Sequence, residues 1–135
     1  MARLRAVQKQ IAFRKELLKD NTDAKDLLKA SEELGHKLTA LEEKLHNPKA
    51  KVSYDIFAAR GGAMLYSQLV WLLALVCDGD GPPNAAQTRY AEEYGKQLAG
   101  LIAEFDKLMK EDVARLNDQA AKLGVPGVFV PAAKK

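Results

Sequence analysis

Two Glu-x-x-His matches, Glu33 to His36 and Glu43 to His46, are the residues whose types and spacing come nearest to chemistry. A carboxylate and an imidazole three residues apart share a helix face, as the ligands of carboxylate-bridged di-metal bundles do. That architecture draws one such pair from each of two helices, whereas both copies here fall on one predicted helix. They lie ten residues and about 80° apart. If Leu34, Leu38, Leu41 and Leu45 face inward, His36 and Glu43 face solvent. The metal reading, with Glu33, His36, Glu43 and His46 as ligands, is therefore the weaker alternative, and no cofactor is expected.

Nucleophilic catalysis needs Ser, Thr or Cys beside a base that a third group orients. The single cysteine, Cys77, has no histidine on its own or the adjoining helix, and its apolar surroundings predict a buried spectator thiol. Asp78-Gly79-Asp80-Gly81 opens like a calcium loop but lacks the third acidic position and the closing glutamate. The neighbouring carboxylates Glu32-Glu33, Glu42-Glu43 and Glu92-Glu93 point about 100° apart on a helix and read as surface ion-pair networks. No glycine-rich phosphate loop or RNA-binding signature occurs. The residues predict a protein that is not an enzyme.

The elements that position these groups are all helical. Leu4, Val7, Ile11 and Leu18 define an amphipathic helix over 2–19, and Thr22 is placed to cap the next. Leu27, Ser31, Leu34, Leu38, Leu41 and Leu45 step four, three, four, three, four, a heptad seam over 23–46 that Pro48 ends. A third helix over 58–77 is apolar all round from Leu69 to Cys77, which predicts that other helices enclose it. Gly61 and Gly62 sit near its start, where close backbone approach or a bend would explain them. Asp78 to Asn84 is a loop, with Asn84 a cap for a fourth helix over 85–123 of about 58 Å, long enough to kink or project, stopped by Gly124. The tail from Val125 to Pro131 reads as extended. The expected fold is one all-α domain over 1–135, an antiparallel up-down bundle of about four helices with a long C-terminal helix.

At 135 residues, 47% hydrophobic and 29% charged, the chain can build one core and is not predicted to be disordered. Its longest apolar run, Leu69 to Cys77, is far below the about 20 residues of a membrane span. Met1 is followed by a charged amphipathic segment, which does not read as a signal peptide. The net charge of +3 disfavours nucleic acid as a partner. Six bases against two acids in the first twenty residues make Arg3, Arg5, Lys9 and Arg14 candidates for docking on an acidic partner, beside the plainer reading of a solvated helix face.

Tyr54-Asp55, Gly61-Gly62-Ala63, Leu65-Tyr66-Ser67, Leu69, Gly79-Asp80-Gly81 with Pro83, Leu116-Asn117, Ala120, Leu123-Gly124 and Pro126 together form a further pattern. Over about residues 30–131 it resembles the helical C-terminal region of bacterial sortilin-like, BNR-repeat β-propeller proteins, often labelled glycosyl hydrolases. Asn84 departs from it, standing where the pattern has threonine. The resemblance implies a non-catalytic accessory or interaction module, an extracytoplasmic location, and a protein partner: its own propeller, encoded elsewhere, or another subunit, including a homo-oligomer. Any hydrolase activity would belong to the propeller. The motifs place Tyr54, Gly61, Gly62 and Tyr66 among the candidate contact residues, where Gly61-Gly62-Ala63 and Leu65-Tyr66-Ser67 read as close helix packing.

Overall fold

The computed structural model describes residues 1–50 and 61–132, and among them the secondary structure is helix with no strand. In chain order these are α1 (Ala2–Leu18), a single 3-10 turn (Thr22–Ala24), α2 (Lys25–Leu45), α3 (Leu65–Cys77), α4 (Ala85–Leu108), a π-helical segment (Met109–Val113) and α5 (Ala114–Lys122). The all-α class expected from the periodicities is the class observed. Two compact units divide the chain: Met1–Ala40 with Glu104–Lys135, and Leu41–Ala103.

Helix boundaries follow local chemistry. The cap expected of Thr22 is made one residue earlier, where the Asn21 side chain accepts the Asp23 amide at 2.9 Å. Asn shortens the reach to a free amide by turning its own carbonyl back, which a threonine inside the 3-10 turn cannot do. At α4, Asn84 Oδ1 accepts the Gln87 amide and Gln87 Oε1 accepts the Asn84 amide, both at 2.9 Å, a reciprocal capping box. Gly124, at φ +66°, ends α5, with Val125 N donating to Ala120 O and Gly124 N to Ala121 O. That pattern satisfies two carbonyls the helix would otherwise leave open. The expected fourth helix thus spans 85–122, interrupted by the π segment, which inserts one residue into the turn and re-aims everything beyond it.

Gly61 and Gly62 correct the sequence expectation. They precede α3 instead of starting it, at φ +91° and +73°, a left-handed backbone that residues with a Cβ resist. Asn47, buried where α2 has ended, holds this turn: its Nδ2 donates to Gly62 O at 2.8 Å and its Oδ1 accepts the Lys49 amide at 2.9 Å. Residues 58–60 of the expected third helix, the 51–57 part of the connection before it, and Lys134 and Lys135 lie outside the described residues.

The first unit has a filled core. Leu4, Val7 and Ile11 of α1 are buried with Leu27, Ser31, Leu34 and Leu38 of α2 and with Val113, Leu116 and Ala120. Its tail is fixed by side-chain amides acting as surrogate backbone. Asn117 donates to Val128 O at 3.0 Å and accepts Val128 N at 2.6 Å, while Gln10 accepts Phe129 N and donates to Phe129 O, both at 2.8 Å. Gly127 passes so close to Asn117 that a Cβ there would meet its Cγ and Oδ1 at 3.0 Å.

Candidate functional site

The basic face of α1 is largely engaged inside the first unit. Arg3 donates from Nε to Pro131 O at 2.8 Å, approaches Asp106 at 3.9 Å and stacks its guanidinium 5.3 Å from the Phe105 ring centre. Arg14 is only 6% exposed, donating at 3.4 Å both to Pro126 O and to Ser31 Oγ. Burial draws its guanidinium below the ordinary value. A side chain so placed cannot meet an acidic partner, which removes Arg14 from the docking candidates. Lys15 pairs with Glu32 at 2.9 Å and Lys19 with Glu16 at 2.6 Å. Arg5 and Lys9 stay exposed.

On α2, Glu33, His36 and Glu43 are exposed, and His46, just past its end, is half-buried with its ring edge-on to Tyr66 at 5.8 Å between centres. Among the described residues no three of His, Cys, Asp and Glu gather as a metal site would require. Glu33 borders a small cleft of about 150 Å³ with Asp112, Arg115 and Gln119, where Asp112 accepts from Lys37 Nζ at 2.8 Å and Arg115 at 2.7 Å. Hydrogen bonding and charge from Lys37, then Arg115, hold the Asp112 carboxyl below its usual range against an opposing effect of burial. Lys37 and Arg115 thus neutralise the Asp112 carboxylate within the cleft.

The second unit carries the distinctive surface. α3 is not enclosed as its composition predicts: only Leu65, Ser67 and Leu72 are buried, while Trp71 is 56% and Leu73 63% exposed. Leu65 and Leu72, seven residues apart, share one inward edge, while Ser67 is buried on another side of the helix. Cys77 points elsewhere, so the expected buried thiol is an exposed one. α4 contains no buried residue, and Tyr90 and Ile102 are exposed.

Between α3 and α4 runs a cleft of about 210 Å³ walled chiefly by Trp71, Leu72, Leu75, Tyr90 and Tyr94. Tyr90 and Tyr94 stack with centres 5.8 Å apart, and Arg89 lies 5.8 Å from the Tyr90 ring centre. Gln87 Nε2 donates to Leu75 O at 3.3 Å, tying the α4 cap to the end of α3. Ser67 also borders the cleft, and its buried hydroxyl has no hydrogen-bond partner among the described residues.

Of the residues singled out by sequence, the structure brings together Gly61, Gly62 and Tyr66 around the start of α3, while Tyr54 lies outside the described residues. Trp71, Leu73 and Leu75 were missed as surface residues, because a continuous apolar run carries no signal of which face lacks cover. No described helix is long and apolar enough to cross a membrane. No protein-family model matches the chain, and neither the curated proteins nor the solved structures contain a match.

Proposed function

We propose that this chain is a non-catalytic helical interaction module whose contact surface is the exposed apolar face of the α3–α4 hairpin. The observation that carries this reading is α3 itself. Thirteen consecutive residues contain no charged side chain, and Tyr66, Trp71, Leu73 and Leu75 among them are exposed. Isolated surface leucines are ordinary, but α3 exposes large apolar side chains on two sides, Tyr66 with Leu73 and Trp71 with Leu75, and water is expelled from such area when a partner covers it. Tyr and Trp suit such a surface, giving large contact area at low entropic cost.

The chemistry of the remainder supports the same reading. In the first unit Arg3, Gln10, Arg14 and Asn117 are engaged on the backbone of the tail, which leaves the apolar α3 side chains as the surface with contacts still to make. The partner is a protein: a propeller domain, as the sequence resemblance implies, or another subunit. The test is native co-purification of the wild type, a Leu73→Lys/Leu75→Lys variant, and Leu17→Lys, which changes an exposed leucine on α1. A stoichiometric protein partner or self-association lost only in the α3 variant is the expected result. Absence of both from the wild type would overturn the proposal.

A further inference from the structure

We propose that the furrow filled here by residues 126–131 is a binding site for an extended peptide of a partner protein, one that sets an Asp or Glu carboxylate on Arg14. The site lies in the first unit and is independent of the α3 face. Its frame is visible on the chain's own segment. Gln10 accepts the Phe129 amide and donates to the Phe129 carbonyl, both at 2.8 Å, and Asn117 does the same for Val128 at 2.6 and 3.0 Å. Arg3 and Arg14 take the carbonyls of Pro131 and Pro126 at the two ends. The segment therefore runs antiparallel to α1. From Arg3 to Arg14 the helix rises about 16 Å, and the five steps from Pro126 to Pro131 reach as far when extended.

These contacts read main chain, which any extended peptide presents. Side chains matter at two places. Val128 is buried, and Gly127 passes Asn117 so closely that a Cβ would meet it at 3.0 Å. Phe129 is 69% exposed, so its identity matters little. The furrow asks for glycine followed by a small aliphatic residue.

The chain's own segment supplies no charge for Arg14. That guanidinium is buried, its Nε has no hydrogen-bond partner, and its contacts to Pro126 O and Ser31 Oγ are both long, at 3.4 Å. No carboxylate pairs with it among the described residues. A buried cation that meets only neutral oxygens is poorly compensated, and a carboxylate in place of the Pro126 carbonyl makes shorter, charge-assisted bonds. This selects the occupant. A second copy would bring the same neutral proline, already held at high local concentration within each chain. A peptide with Asp or Glu at that position adds an ion pair that the resident segment lacks. While residues 126–131 stay in place Arg14 is out of reach, so binding requires their displacement.

The test titrates the full wild-type chain with fluorescein-labelled synthetic peptides read by anisotropy: Val125 to Ala132 unchanged, and the same peptide with Pro126→Glu. The Glu peptide should bind saturably below about 1 mM and at least about tenfold more tightly than the unchanged one. Hydrogen exchange at the chain's Val128 amide should accelerate as its own segment leaves. Gly127→Ala within the Glu peptide should weaken binding at least about tenfold, and an Arg14→Met chain should bind both peptides alike. Should that chain lose its helices by far-UV circular dichroism, a Pro126→Gln peptide on the wild type isolates the charge instead, and it should bind no better than the unchanged peptide. Equal binding of the Glu and unchanged peptides to the wild type overturns the role of Arg14. No saturable binding of the Glu peptide up to about 1 mM, or binding that leaves Val128 exchange unchanged, overturns the site.

Discussion

The two units use the same kinds of residue to opposite ends. In the first, a heptad seam on α2 is buried and the polar side chains of α1 and α5 close on the backbone of the tail. In the second, α3 leaves Trp71, Leu73 and Leu75 exposed, and α4 buries no residue at all. Apolar side chains therefore specify that a helix can be packed. What packs it depends on whether another apolar element lies opposite.

The sharpest way to break this contrast is to truncate one leucine in each unit. Leu38→Ala, in the first unit, removes a side chain with no exposure and should cost about 2–5 kcal/mol in denaturant unfolding, through lost burial and the cavity left behind. Leu73→Ala should change monomer stability by less than about 0.5 kcal/mol. Similar losses would mean that α3 is covered after all.

Asn117→Ala should cost about 1–3 kcal/mol, because it strands both the amide and the carbonyl of Val128. Hydrogen exchange should accelerate at Val128 while the α2 core amides keep their protection. Loss confined to the tail would show that the clasp fastens the tail without building the core.

In the second unit, Gly61→Ala forces a Cβ onto a φ of +91° and within 3.2 Å of Asn47 Nδ2. It should cost about 1–2 kcal/mol by thermal unfolding. Gly62→Ala meets no neighbour within 4 Å and isolates the backbone strain alone. A larger effect at Gly62 than at Gly61 would remove the role given to Asn47.

The smallest effect concerns pH. Lys37 and Arg115 depress the Asp112 carboxyl in the folded chain, so its contribution is present above the unfolded carboxyl range and is lost as pH falls through the folded value. Asp112→Asn should flatten the acid limb of a stability profile by no more than about 1 kcal/mol, as befits an ion pair near the surface. An unchanged acid limb would mean that the pair contributes nothing.

Much of this was legible in the residues. The α2 seam, the Asn84 cap, the end of α3 at Cys77 and the stop at Gly124 all follow from interactions within a few residues of chain. Asn47 was not recognisable as a turn-holder, since its partner Gly62 lies fifteen residues away. Gln10 and Asn117 gave no signal of their clasp on a tail over a hundred residues from the former. Arg14 read as surface because it is charged, yet it is buried, and the carbonyl of Pro126 and the hydroxyl of Ser31 offset part of that cost.

By itself the sequence determined the helical class, the approximate extent of α1 and α2, the C-terminal end of α3 and the apolar stripe of α2, because hydrogen bonding and capping act between near neighbours. The tertiary structure alone decided which stripes are covered. Burial depends on what lies across from a side chain, and on α3 it leaves Trp71, Leu73 and Leu75 exposed among the described residues.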